Sequence, residues 1–382
     1  MRIVNGNVFV DGEFKHVDLS IEGERFSGVS PFGSIGECAP LDKQVVEADG
    51  CYVVPGLIDL HFHGCMGSDM CDGTTDAISA LAKFEAAHGV TSICPATMTY
   101  PEHILEPVMD AARAFAPADD EAELVGINLE GPFISPNKVG AQNPEYVQRC
   151  DADMIRRLQE RSGGKVSLVD IAPEEDGALD FVREMHDEVR ISIAHTCADY
   201  ETSLQAFDFG AKHVTHLCNA MPGLHHRDPG PIGAAFDSPG ATVELIADGK
   251  HVSPAMIRAV FKLFGPERVI LISDSMRAAG LADGEYDLGG QKVSVHDDLA
   301  WLTPDTIAGS VTDVCTCMAR CANDFGIPLA DAVRAATENP ARALGVFGER
   351  GSIAVGKIAD AVVLNRDLTV RDVILRGKLL SR

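Results

Sequence analysis

From Pro55 to about Val346 the chain repeats one rhythm, with apolar runs of five to eight residues alternating with helical patterns of ten to fifteen. That alternation is the signature of βα units and a parallel sheet. Eight runs read as strands: Val54–His61, Val90–Ala96, Glu123–Glu130, Val166–Ala172, Arg190–His195, Ala211–His216, Thr242–Ala247 and Arg268–Asp274. The pattern after the first run opens with Asp72-Gly73-Thr74, a capping sequence, and reaches His88-Gly89 with Ile78, Leu81, Ala82 and Glu85 on one side. Further on, Pro328 stands at a first-turn position, with Leu329, Ala332, Val333 and Ala336 following at helical spacing. Eight such units predict a (β/α)8 barrel over residues 55–345, with a doubly wound open sheet as the alternative. No Gly-x-Gly-x-x-Gly turn and no Walker-type loop occurs, so nucleotide binding has no support.

The two ends have a different pattern. Arg2 to Val10, His16 to Ile21 and Gln44 to Val54 are short β-type runs punctuated by Asp11-Gly12, Glu22-Gly23 and Asp49-Gly50. Ala359 to Leu364 and Thr369 to Leu375, followed by Arg376-Gly377-Lys378, look the same. Residues 1–54 and 346–382 are therefore expected to form one small β-sandwich together, although nothing in the sequence alone shows that they meet.

Polar residues change the picture where they interrupt the apolar runs. They gather at the carboxyl ends of the expected strands, as Asp59-Leu60-His61-Phe62-His63, Asn128-Leu129-Glu130, Ala194-His195-Thr196, Thr215-His216-Leu217 and Ser273-Asp274-Ser275. In an extended chain His61 and His63 point to one face. In a barrel all five ends converge on one mouth, where active sites of this fold lie. Imidazoles and carboxylates are what a divalent ion such as zinc binds, and iron, manganese and cobalt accept the same set. Asp274 has a plainer alternative as a cap for a following helix. Cys197 and Cys218 lie two residues beyond His195 and His216, on the same face if those strands continue, and read as packing thiols rather than ligands.

Composition bounds the function. The 382 residues are 46% hydrophobic and 23% charged, which excludes collagen-like and disordered classes. With 32 Lys and Arg against 57 Asp and Glu the net charge is −25, so nucleic acid and anionic membrane surfaces are not expected partners. The amino terminus lacks a signal-peptide pattern, and no run approaches the about 18 to 20 apolar residues of a membrane span. Eleven cysteines without paired C-x-x-C spacing read as reduced thiols, and a cytoplasmic enzyme is the expectation.

Several segments carry a family resemblance. Pro55-Gly56-Leu57-Ile58-Asp59-Leu60-His61-Phe62-His63-Gly64 resembles the opening strand of the amidohydrolase superfamily. Leu129-Glu130-Gly131-Pro132-Phe133-Ile134, Thr215 to Pro222, Ala247-Asp248-Gly249-Lys250-His251, Ser273-Asp274 and Thr337 to Arg342 together resemble its N-acetylglucosamine-6-phosphate deacetylases over nearly the whole chain. The resemblance implies Glu130, His195 and His216 as the main metal ligands, with His61 and His63 available for a second ion. It implies Asp274 as the acid/base that takes a proton from water and returns it to the departing amine. Asn219, the Ala220 backbone amide, His251, Gln142 and Ile307 are implied on the substrate side. Arg227 would reach the phosphate from the other subunit of a homodimer, where a lone loop arginine would otherwise read as solvated and paired with Asp228. Some members carry His where Gln142 stands, which leaves the sugar epimer open. N-acetylgalactosamine 6-phosphate is thus an alternative substrate, ahead of a cyclic amide or a non-enzymatic scaffold. The carboxylated lysine of cyclic-amide hydrolases has no candidate, since Lys165 precedes the fourth strand and Asp170 ends it.

Overall fold

A computed structural model of the chain describes residues 1–33 and 44–380. All eight expected runs contribute barrel strands. Seven lie side by side in sequence order in one sheet: Ala96–Thr97, Ile127–Phe133, Val166–Ile171, Arg190–Ile193, His213–Val214, Thr242–Ile246 and Val269–Ile272. Every adjacent pair in it is parallel. The first strand, Leu57–Asp59, joins through Val90–Ile93, which pairs in turn with Glu123–Leu124. Closure comes from single hydrogen bonds: the Asp274 N–H donates to His61 O at 2.9 Å, and the His63 N–H to Ser275 O at 2.7 Å. The ring is thus sealed at its mouth by residues of the polar strand ends.

Parity along the strands sorts side chains between the barrel interior and the helices. Leu60, Cys94, Leu168, Ile246, Ile270 and Ile272 form an apolar cluster of their own, with Ala343 and Leu344 packed against it. Asp170 and Glu244 share strand faces with Leu168 and Ile246, so the same rows carry both apolar and polar side chains. The opposite faces pack on amphipathic helices. The first, Thr75–Ala87, is capped by the Thr74 hydroxyl accepting from Ala77 N–H at 3.2 Å and buries Ile78, Leu81, Ala82 and Glu85. The helix Leu329–Ala336 buries Ala332, Val333 and Ala336, with Pro328 one step earlier than expected, as the cap itself.

The ends of the chain do meet. Ala361–Leu364 pairs antiparallel with Tyr52–Pro55, with Val362 opposite Val54. The expected sandwich is built as one continuous hydrogen-bonded path of seven strands from Lys378–Leu379 to Arg25–Pro31, with Val45–Glu47 added beside Arg2–Val10. Its core holds Ile3, Val8, Leu19, Phe26 and Val53 from one end of the chain and Val363 and Ile374 from the other.

One element was not foreseen. Gly284–Leu288, Gln291–His296, Leu299–Thr303 and Thr306–Ser310 form a four-stranded antiparallel sheet between the last barrel strand and the helices that follow. Its first two connections are two-residue loops, Gly289-Gly290 and Asp297-Asp298, with positive φ at all four residues (60°, 79°, 54° and 57°). That is the tight hairpin geometry whose twist matches paired strands. Leu288, Val293, Val295 and Ala300 bury one face against Met98 and Met276.

Candidate active site and metal centre

The polar strand ends converge at the barrel mouth. Glu130 Oε1 lies 3.0 Å from both His195 Nε2 and His216 Nε2, and those two nitrogens are 3.1 Å apart. Beside them, His63 Nε2 lies 3.3 Å and His61 Nε2 3.7 Å from Asp274 Oδ1. Glu130 touches this second group as well, at 3.2 Å from His63 and 3.6 Å from His61. Two three-residue sets, His61–His63–Asp274 and Glu130–His195–His216, therefore share a wall, and all six residues are buried.

Backbone geometry places these side chains. His195, His216 and Asp274 all lie in the left-handed region, with φ of 42°, 28° and 49°. A residue with a Cβ is rarely held there, and such conformations concentrate at functional sites. The strands have already ended at Ile193, Val214 and Ile272. The chain therefore turns at each site residue instead of continuing, which corrects the extended-strand premise for the cysteines. Cys197 is exposed, Cys218 is half-buried, and neither belongs to a metal-ligating group.

The donor set fits a divalent metal. His195 Nδ1 is held by Lys138 O at 2.8 Å, which leaves Nε2 facing the Glu130 carboxylate. His61 Nε2 is buried without a hydrogen-bond partner, and such an atom wants an ion or a donor. Two imidazoles and a carboxylate within 3.1 Å of one another are a metal's donors brought together. Burial would raise the Glu130 and Asp274 carboxyls. Bonds from His195, His216 and His63 outweigh it and hold Glu130 well below the usual carboxylate range. Asp274 is lowered mainly by His63 and then by the charge of His61. Burial likewise depresses His63, but its bonds to Asp274 and Glu130 prevail and lift it to about 10.

Above these groups opens a cavity of about 560 Å³, lined by both sets except His61 and by most of the expected substrate-side residues. Asn219, Ala220, His251 and Ile307 are on its wall, with Lys138 and Asp305. Ile307 comes from the unforeseen antiparallel sheet. His251 is oriented by Asp248, whose Oδ2 is 2.6 Å from Nδ1, and its Nε2 has no partner. Gln142 is turned toward the ligands. Its Nε2 donates to Glu130 Oε2 at 2.5 Å while its Oε1 accepts from Thr99 N–H at 2.7 Å. Arg227 is exposed, bonds His226 Nε2 at 2.6 Å rather than Asp228, and does not line the cavity of its own chain. At the fourth strand's end Asp170 accepts from Thr215 Oγ1, and Lys165 is bonded to Leu124 O on another part of the chain.

Sequence reasoning missed Glu244. It lies wholly buried in the seventh strand, 2.9 Å from His61 Nδ1 and 2.9 Å from His213 Nε2. The signal was a lone carboxylate inside the apolar run Thr242-Val243-Glu244-Leu245-Ile246.

Known proteins resemble this chain along most of its length. The family model described as "Amidohydrolase family" matches residues 52–380. An N-acetylglucosamine-6-phosphate deacetylase of Bacillus subtilis is 37% identical over 345 residues, covering 89% of this chain and 87% of its own. An N-acetylgalactosamine-6-phosphate deacetylase of Escherichia coli O157:H7 is 35% identical, covering 91% and 93%. Among solved structures, a mutant N-acetyl-D-glucosamine-6-phosphate deacetylase of Mycobacterium smegmatis, in complex with N-acetyl-D-glucosamine 6-phosphate, superposes with a TM-score of 0.91. It is 34% identical and covers 100% of this chain and 99% of its own. A family model matching residues 52–380 and likeness to deacetylases along most of the chain show that it belongs to the amidohydrolase family.

Proposed function

We propose that the chain hydrolyses the acetamide of N-acetylglucosamine 6-phosphate to acetate and glucosamine 6-phosphate, a step of amino-sugar breakdown. The observation that carries it is the pair of ligand sets sharing Glu130, with Asp274 facing the same cavity. Glu130, His195 and His216 hold one divalent ion, and His61 and His63 with Asp274 offer a place for a second. Zinc is the ion we propose. A bound ion supplies Lewis acidity toward water and the amide carbonyl. Asp274, kept ionised by its histidine neighbours, accepts a proton from the attacking water at its carboxylate. It then returns that proton to the amine nitrogen, which is otherwise a poor leaving group. Gln142 steadies Glu130, while Asn219, the Ala220 amide and His251 bind the sugar phosphate and Ile307 covers it.

The phosphate is completed by Arg227 of a second subunit in a homodimer. This reading is supported by an apolar groove beside the Arg227 loop, where Leu224 and Phe236 are each 47% exposed around Tyr200, Pro229 and Ile232. A cytoplasmic setting is supported by free cysteines such as Cys65, Cys94, Cys197 and Cys317 among the described residues. The acidic surface argues against nucleic acid or membrane partners, and no described helix is long and apolar enough to cross a membrane. The division at 54/55 and 345/346 is supported by a core of the terminal sheet's own, around Ile3, Val8, Leu19 and Val363, while its other face, with Phe9, Val362 and Leu364, packs into the barrel core.

Acetate release from a panel tests the reading: the two N-acetylhexosamine 6-phosphates, unphosphorylated N-acetylglucosamine and a dihydropyrimidine. Turnover is expected on the gluco 6-phosphate ahead of the others, with Asp274→Asn slowing it by about 10²–10⁴ while metal stays bound at the Glu130–His195–His216 set. Preference for the galacto epimer would move the substrate, and turnover of the dihydropyrimidine alone would sink the deacetylase reading.

A further inference from the structure

We propose that Glu244 is a positioning residue that locks ligands of both metal sets from inside the barrel, fixing His61 to bind through Nε2 and His216 in its turn. The inference rests on the metal reading above. Glu244 does not line the cavity, so it acts through its neighbours.

Its Oε2 accepts from His61 Nδ1–H at 2.9 Å and from the His216 backbone N–H at 3.0 Å. Its Oε1 accepts from His213 Nε2–H at 2.9 Å. His213 is the donor there because a carboxylate only accepts, and its other nitrogen lies 2.6 Å from the Thr242 hydroxyl. Three donors thus fix one carboxylate in place. Asn128 Nδ2, at 3.4 Å from His61 Nδ1, is too far to compete with the carboxylate. With Nδ1–H committed to Glu244, His61 Nε2 is left bare, buried and without a partner, between Glu130 and Asp274. The second bond of Oε2 holds the N–H of His216, whose left-handed φ of 28° points Nε2 toward Glu130. A glutamine of the same size has one acceptor oxygen and no charge, so only one of the two rings keeps an oxygen acceptor and both lose the carboxylate that fixes their tautomer. Partners of this kind set the tautomer and basicity of a ligating imidazole.

The test is titration of Glu244→Gln with Co²⁺ followed by its visible absorption, alongside the wild-type protein and with kinetics on the loaded forms. Metal affinity at the His61 set should fall about 10–100-fold. kcat should fall with it, while KM for the sugar phosphate stays near wild type. Wild-type stoichiometry and affinity in Glu244→Gln would overturn the inference. Should that variant not fold, ring ¹⁵N shifts of the zinc-loaded wild-type protein decide, with the His61 signal identified by its loss in His61→Asn. A protonated Nδ1 with metal on Nε2 supports the assignment, and any other tautomer overturns it. A wild-type chain that takes up no divalent ion overturns the metal reading and this inference together. Normal loading of both proteins overturns the inference alone.

Discussion

At the scale of single residues the site is a compact set of opposed charges whose protonation must change when a metal arrives. His63 is lifted to about 10 and His61 and His216 are raised, in each case because nearby carboxylates outweigh burial. Glu130 and Asp274 are held low by the same bonds. A ligating imidazole must be neutral, so near pH 7.5 an incoming ion has to displace protons from these rings. The sign follows: below a pKa of about 10 for His63, affinity falls as pH falls, by about tenfold per pH unit for each proton displaced. Calorimetric Zn²⁺ titrations in buffers of different ionisation enthalpy should report release of roughly one proton or more per ion. Buffer-independent heats would contradict this account. The ligand types were legible because each side chain breaks an apolar run in a fixed register. What the sequence hid was the backbone turn at His195, His216 and Asp274, since none is a glycine and each follows an apolar run that reads as a continuing strand. It also hid that Gln142 bonds Glu130, because the two are joined only by the folding of a loop.

At the scale of elements the question is what holds the terminal sheet to the barrel, since the catalytic strands begin where that sheet ends. Gly56 N–H donates to Asp360 O at 3.0 Å, and the Asp360 side chain takes Arg350 and, at 2.7 Å, the Arg376 N–H. Arg350 also reaches Glu123 of the barrel edge at 3.4 Å. The Arg350 and Asp360 side chains are only 8% and 5% exposed, so removing one leaves the other buried without its counter-charge. Arg350→Ala should cost about 3–5 kcal/mol in chemical denaturation. Lys378→Ala, which breaks the 2.8 Å pair to Asp119 with side chains 57% and 81% exposed, should cost under about 1 kcal/mol. Equal losses would remove the clamp from this account. The elements themselves were legible wherever period and punctuation agreed, as in the eight strand runs and the Thr74-capped helix. The antiparallel sheet over 284–310 was overlooked although Gly289-Gly290 and Asp297-Asp298 mark its turns, because four strands of five or six residues bury only one narrow face.

At the scale of the whole molecule, the net charge of −25 and the proposed phosphate site pull against each other. Lys138 lines the cavity, but Glu130, Asp274 and Asp305 line it too, and the exposed Arg227 stands outside it. One chain therefore offers little net positive charge to a sugar phosphate, and the proposed second copy lending Arg227 would supply what is missing. Two acidic subunits repel, so the contact has to come from apolar area such as the groove around Leu224 and Phe236. In a two-fold dimer each site would take Asp274 from its own chain and Arg227 from the other. Arg227→Ala alone should raise KM for the phosphorylated substrate, and Asp274→Asn alone should slow turnover by about 10²–10⁴. Co-expressed with different tags and isolated as the mixed dimer, the two variants leave one site with both residues intact and one with neither. That dimer should recover roughly half of wild-type turnover at low substrate, because a two-fold pair has two sites and one is whole. If Arg227 served its own chain instead, both sites would carry a defect and the mixture would be no better than Arg227→Ala. Recovery in the mixed dimer is therefore the measurement that separates a shared site from a self-contained one.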